Sequence, residues 1–174
     1  MTVLRVLVVS LCVLTALLLG PTVVARLPLP GSPPDLVLVV VLALALAGGP
    51  VVGMLTGFAA GLLADLSSDH QVGRLALAYV VVGYLVGLTA GDDERSVVRP
   101  FAAVGAGVAG ALVVYAAEGV LLGDPRVRLG TLGTGLASAV PYAVVLVPFV
   151  VPPVGLLVRW SEADPGRRPM AVRR

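Results

Sequence analysis

The chain has 174 residues, of which 58% are hydrophobic and only 13% are charged, with a formal net charge of +2. Soluble domains are typically about 45–50% apolar and about one quarter charged, so this composition excludes a soluble globular protein and indicates an integral membrane protein. The sequence offers no basic groove with interleaved aromatic residues, which argues against nucleic acid as a partner. One cysteine and one histidine exclude an internal disulfide and a metal-binding set.

The order of the apolar runs predicts an all-α, polytopic transmembrane helical bundle of about six spans, with five as the alternative. The first run covers residues 6–24 and is interpreted as a retained anchor rather than a cleaved signal peptide. Asp35 precedes the next run and is predicted to cap a helix, because its carboxylate can accept from free backbone N–H groups. Residues 36–66 are interrupted at residues 48–50 (Gly-Gly-Pro), which indicates either two short spans in a hairpin or one long kinked helix.

The second half of the chain contains three further apolar runs. They cover residues 74–90, 101–122 and 129–158. The last contains four prolines, so a kinked helix is expected there, followed by Trp160 as an interfacial anchor. We therefore divide the chain into a transmembrane helical domain, residues 1–158, and a short basic tail, residues 159–174.

The distribution of arginine predicts the orientation. With six spans, eight arginines lie on the cytoplasmic side and four on the outer side. This asymmetry predicts a multi-pass protein of the bacterial cytoplasmic (inner) membrane with a cytoplasmic C-terminus.

Small residues recur at helical spacing in two of the runs. A step of four residues follows one slowly drifting stripe of an α-helix, and a glycine stripe lets another helix backbone approach closely. The residues that we predict to serve helix packing are Gly53, Gly57, Gly61, Gly83 and Gly87.

Three carboxylates, Asp35, Asp65 and Glu118, are candidates for partner contacts or for structural polar roles. Asp65 continues the glycine stripe and lies at a helix C-terminus, where the macrodipole disfavours an anion. We expect such a charge to be paired, either with Arg26 or Arg74 of this chain or with an arginine of another protein. The alternative is that Asp65 only marks where the helix leaves the bilayer.

The sequence lacks the motifs of the common enzyme classes. It contains no phosphate-binding glycine loop, no dinucleotide fingerprint, no His-Glu-x-x-His and no Gly-x-Ser-x-Gly. Two or three carboxylates without a histidine or lysine partner are poor equipment for acid–base catalysis. We therefore expect no enzyme and assign no catalytic, cofactor-binding or metal-binding residue.

Several segments together resemble the MreD family of bacterial rod shape-determining membrane proteins. The resemblance covers residues 33–91. Its segments are Pro34-Asp35-Leu36, the Gly-Pro break, residues 57–65 (Gly-Phe-Ala-Ala-Gly-Leu-Leu-Ala-Asp), residues 73–77 (Gly-Arg-Leu-Ala-Leu) and residues 83–87 (Gly-Tyr-Leu-Val-Gly). The proline-rich last span departs from what the resemblance implies.

The resemblance implies a non-catalytic scaffold subunit of the rod complex, or elongasome, embedded in the lipid bilayer. Such a subunit binds MreC, joins RodA and a penicillin-binding transpeptidase, connects indirectly to MreB and helps to organise peptidoglycan synthesis, the cell wall and cell shape. It also implies a six-helix bundle similar to the substrate-binding subunits of energy-coupling-factor transporters. A small-molecule-binding subunit of such a transporter is the alternative function, although spans built mainly from Gly, Ala, Val and Leu offer few polar groups for a ligand.

Overall fold

The structure, a computed structural model, describes residues 3–23, 26, 31, 33–67, 72–91, 96–124 and 129–162. These residues form α-helices joined by turns, and no strand occurs among them. The helices are α1 (Val3–Thr22), α2 (Leu36–Gly48), α3 (Pro50–Leu66), α4 (Arg74–Leu88), α5 (Val98–Leu121) and α6 (Leu129–Glu162). The predicted all-α class is confirmed for this part of the chain.

The break at residues 48–50 separates two helices rather than kinking one. Gly49 has a φ of 84°, a left-handed conformation that ends α2, and its N–H bonds to the carbonyl of Ala45. Pro50 occupies the first turn of α3, where its missing N–H costs nothing. Of the two alternatives left by the sequence, the structure therefore has two short helices.

Contacts between helices fix their relative directions. Asp35 and Tyr79 share a hydrogen bond, and Leu42 and Val86, each seven residues further along, both lie against Gly107 of α5. The equal spacing shows that α2 and α4 run parallel. Helix α3 runs the opposite way, because Gly53 at its start lies against Gly83 and Gly61 near its end lies against Ala76.

Helix α2 is the centre of the bundle, since it contacts each of the other five described helices. Every residue from 37 to 45 is buried. A helix that is apolar on all sides is expected in an interior. In this bundle α2 is therefore enclosed by its neighbours, and the outer helices carry the exposed leucines and valines.

Three of the described helical segments are long and apolar enough to cross a membrane: Val3–Thr22, Val98–Leu121 and Leu132–Ser161. The helices α2, α3 and α4 are apolar but shorter, with 13, 17 and 15 residues. At 1.5 Å per residue they span about 20–26 Å, against a hydrocarbon core of about 30 Å. The predicted count of six crossings stays a prediction.

Helix α6 contains all four prolines predicted to disturb it, Pro141, Pro148, Pro152 and Pro153, within one continuous helical segment. Its end at Glu162 lies beyond residue 158, the predicted end of the membrane domain. Residues 163–174 of the predicted tail lie outside the described residues, so the division of the chain stays a prediction, as does the kink.

Candidate functional site

Polar side chains gather at one end of the bundle, where α2 and α4 begin and α3 and α5 end. We call this group the polar end cluster, and its described members are Asp35, Asp65, Arg74, Tyr79, Tyr115, Glu118 and Asp124. Two of the three carboxylates singled out from the sequence hold helices together here, and the third lines a cavity beside Arg74.

Asp65 is fully buried, with no exposed surface, and its carboxylate receives the backbone N–H groups that begin α4. Gly73 donates to its Oδ2 at 2.8 Å, Ala76 to the same oxygen at 3.3 Å, and Leu75 to Oδ1 at 3.2 Å. The first N–H groups of a helix have no partner within the helix, and the macrodipole there favours an anion. Asp65 therefore ends α3 and caps α4 with the same carboxylate.

This arrangement resolves the electrostatic difficulty that the sequence raised for Asp65. The structure supplies the positive end of a neighbouring helix as a counterpart for the charge of Asp65, and the expected pairing with an arginine stays a prediction. Gly73 occupies the N-cap position of α4 with a φ of 104°. Because glycine has no side chain that could accept a hydrogen bond, the capping carboxylate is that of Asp65, at the end of α3.

Arg74, only 5% exposed, connects the start of α4 to the end of α5. Its Nη1 forms an ion pair with Asp124 Oδ2 at 2.7 Å, and its Nη2 donates to the carbonyl of Tyr115 at 3.3 Å. The guanidinium also lies 4.2 Å from the centre of the Tyr115 ring, a cation–π geometry. A buried charge with several partners of this kind fixes two helices relative to each other.

Asp35 has the capping role that the sequence predicted, and a second one that it did not. Its Oδ1 accepts from the N–H of Leu38 at 3.0 Å, which closes the first turn of α2. Its Oδ2 accepts from the hydroxyl of Tyr79, a buried residue of α4. The carboxylate therefore joins the two parallel helices.

Glu118 lies on α5 beside Arg74. Both line a cavity of about 530 Å³ between the start of α4 and the end of α5. Within the polar end cluster, Glu118 thus has a different environment from Asp35 and Asp65, whose carboxylates are hydrogen-bonded to backbone and hydroxyl donors.

The two glycine stripes face each other along the contact between α3 and α4. A Cβ atom added at Gly57 would lie 2.5 Å from the carbonyl oxygen of Tyr79, and one at Gly61 would lie 2.5 Å from the Cα of Ala76. On the opposite helix, a Cβ at Gly83 would lie 2.5 Å from the carbonyl oxygen of Gly53. These are distances that only backbone-to-backbone packing produces.

The direction of the two helices follows from the same contacts. Gly53, at the start of α3, meets Gly83 near the end of α4, and Gly87 in turn packs against Pro50. Helices α3 and α4 are therefore antiparallel and are in contact from one end to the other.

In the part of the chain that the structure describes, no group of three or more His, Cys, Asp or Glu side chains is placed so that it could hold a metal ion. What the polar end cluster can do chemically is to cap helices and compensate buried charges.

Sequence reasoning missed Tyr79, Tyr115 and Asp124. No local pattern marks them, because their partners lie 44, 41 and 50 residues away in the chain. The capping role of Asp65, in contrast, could have been predicted from a pattern in the sequence. A carboxylate that ends one helix, a short connection and a glycine opening the next helix together place an acid beside free N–H groups.

Fold and site together define a membrane-embedded helical bundle in which most of the described polar side chains have structural roles. Residues 1–104 match the family model described as rod shape-determining protein MreD. This is more than half of the chain, and the chain belongs to the MreD family. The resemblance drawn from residues 33–91 is thereby confirmed and extends on both sides.

The family assignment places the protein among the bacterial membrane proteins of the rod complex that determine cell shape. No curated protein and no solved structure matches the chain. The likeness to energy-coupling-factor subunits consequently stays a prediction.

Proposed function

We propose that this protein is a non-catalytic, multi-pass subunit of the rod complex that binds MreC and helps to position peptidoglycan synthesis. The match of residues 1–104 to the MreD family carries this proposal. RodA and a penicillin-binding transpeptidase are the further partners, and the connection to MreB is indirect.

We propose further that all six helices cross the inner membrane, with both chain ends in the cytoplasm. Opposite directions for α3 relative to α2 and α4 support this topology. So does the position of the polar end cluster, which becomes the outer end of the bundle. The arginines at positions 5, 99 and 159 then lie at the cytoplasmic end, as the positive-inside rule requires.

The packing of α3 against α4 limits where a partner binds. The two glycine stripes pack against each other within the chain, so no helix of a partner fits between them. Asp65 is likewise enclosed and capped. MreC therefore contacts other surfaces of the bundle, and the glycine stripes and Asp65 support binding by keeping the bundle rigid.

Copurification tests the proposal. The full chain, tagged and solubilised from the membranes of the bacterium that encodes it, is expected to retain MreC. A matched tag on an unrelated polytopic membrane protein serves as the control. Recovery of an ATPase module without MreC would instead support the transporter alternative and contradict the proposal.

A further inference from the structure

Helix α6 has a buried face and an exposed face. The residues that it buries in the bundle are Ala139, Ala143, Val147, Val154 and Val158. All four of its prolines are exposed, and so are the large side chains between and beyond them, Val145, Phe149 and Leu156. Steps of three and four residues follow one side of a helix, so residues 141, 145, 148, 149, 152, 153 and 156 form a single surface, which we call the proline face.

The proline face carries backbone carbonyls that have lost their usual hydrogen-bond donor. A proline inside a helix has no N–H, so the carbonyl four residues earlier receives no bond from it. For the prolines at positions 148, 152 and 153, these are the carbonyls of Val144, Pro148 and Phe149. A helical carbonyl points toward the residue four positions further on, so these three acceptors open toward the proline rings, on the exposed side of α6.

These acceptors lie within the hydrocarbon core of a membrane that α6 crosses. The apolar segment Leu132–Ser161 has 30 residues, whereas a core of about 30 Å needs only about 20. Residues 142–151 belong to every stretch of about 20 residues within this segment, so they lie in the core wherever the core is placed along it. At that depth neither water nor an acyl chain supplies a hydrogen-bond donor.

The chain itself covers the other side of α6. Helices α1, α2 and α5 contact α6 and enclose its buried face. Two hydroxyl groups of α6 are bonded elsewhere: Ser138 donates to the carbonyls at positions 134 and 135, and Ser161 donates to that of Val158. Carbonyls freed by proline in membrane helices are satisfied by neighbouring helices and by polar side chains, so we infer that these donors come from another protein.

We propose that the proline face binds a transmembrane helix of a partner protein that carries two hydroxyl or carboxamide side chains four residues apart. The carbonyls of Val144 and Pro148 are separated by four residues, or about 6 Å along the helix axis. A partner helix with Ser, Thr, Asn or Gln at positions i and i+4 presents donors at the same spacing. Val145, Phe149 and Leu156 supply the apolar contacts around them.

Crosslinking in the bacterium that encodes the protein identifies what covers the proline face. The photoreactive residue p-benzoylphenylalanine replaces Phe149 in the full chain, and in a matched control it replaces Val113, an exposed residue of α5 outside the proline face. Mass spectrometry then identifies the crosslinked segment. We expect position 149, and not position 113, to crosslink to a transmembrane helix with two such donors four residues apart.

Two sets of variants test the hydrogen bonds. Pro148→Ala combined with Pro152→Ala supplies N–H groups within α6 to the carbonyls at positions 144 and 148. The crosslink, normalised to membrane abundance, is expected to fall about tenfold, the effect of losing two hydrogen bonds of average strength in a membrane. Pro100→Ala is the control, because this proline lies in the first turn of α5, where an N–H has no helical acceptor.

Replacing the two donors of the partner helix by Ala should reduce the crosslink by the same factor. This second test does not depend on how the proline variants fold. An unchanged crosslink in either test would overturn the proposal. So would a crosslink at position 149 to lipid alone, to a second copy of this chain, or to a helix without the two donors.

The proposal goes beyond the proposed function, since the donor pattern defines the partner and that partner need not be MreC. Retention of MreC without a crosslinked donor helix at position 149 would overturn only this proposal. A crosslinked donor helix without retention of MreC would instead contradict only the proposed function. The two failures are therefore distinguishable.

Discussion

The carboxylate of Asp65, at the end of α3, accepts the backbone N–H of Gly73 at 2.8 Å and so caps the helix that follows. With the glycine stripes in contact along their length, this cap makes α3 and α4 one hairpin that is closed at both ends: by Asp65 at one, and by Gly87 against Pro50 at the other. The first prediction follows from this relationship.

Replacing Asp65 by Asn keeps the shape but removes the anion from the positive end of α4. We expect destabilisation of about 1–2 kcal/mol, the usual value of an N-terminal cap together with its dipole interaction. Faster amide hydrogen exchange at Leu75 and Ala76 should accompany it. Ser67→Ala, a change at the exposed end of the same helix, is the control. Exchange at these two amides that matches the unmodified protein would show that the cap has no energetic role.

The contact between the glycine stripes predicts that the cost of a glycine-to-alanine substitution depends strongly on where the glycine lies. Gly57→Ala places a methyl group 2.5 Å from the Tyr79 carbonyl oxygen, whereas Gly155→Ala, on α6, meets no atom within 4 Å. Overpacking of this kind typically costs about 1–3 kcal/mol. We expect lower membrane abundance and a lower melting temperature for Gly57→Ala only. Equal melting temperatures for the two variants would mean that the backbones of α3 and α4 are not in contact at Gly57.

The hydrogen bond between Asp35 and Tyr79 predicts energetic coupling between α2 and α4. Asp35→Asn and Tyr79→Phe should each destabilise the protein, and the double variant should lose less than the sum. Contacting residues typically show coupling of about 0.5–3 kcal/mol. Strict additivity in a double-mutant cycle, measured by unfolding in detergent, would argue against the contact.

The proposed orientation predicts the activity of reporter fusions. Alkaline phosphatase, which is active only outside the cytoplasm, should be inactive when fused after Arg174 and active when fused at Asp124. A cytoplasmic reporter at the same two positions should give the reverse pattern and serves as the control. Phosphatase activity after Arg174 would overturn the orientation.

The order and class of the helices were predictable from the sequence because they depend on local properties, namely apolar runs and their interruptions. The residues of the glycine stripes were visible for the same reason, since a four-residue step belongs to one helix. That the two stripes pack against each other was not predictable, because Gly53 and Gly83 meet only after the chain has turned back on itself.

The polar end cluster shows more clearly what could not be predicted from the sequence. Three partners of Asp65 are backbone N–H groups, which every residue but proline carries and which no sequence pattern marks. Tyr79 looks like any aromatic residue in an apolar run until α2 is placed parallel to α4. The central position of α2 was likewise hidden, since apolarity on all sides fits both a lipid-facing and a buried helix.

Depletion of the protein in the bacterium that encodes it tests the central claim, membership of the rod complex that determines cell shape. The account predicts rounded cells with a reduced ratio of length to width. Expression of the intact chain is expected to restore the rod, and expression of Gly57→Ala to restore it poorly. Cells that keep their rod shape and their normal pattern of peptidoglycan incorporation after complete depletion would contradict the account.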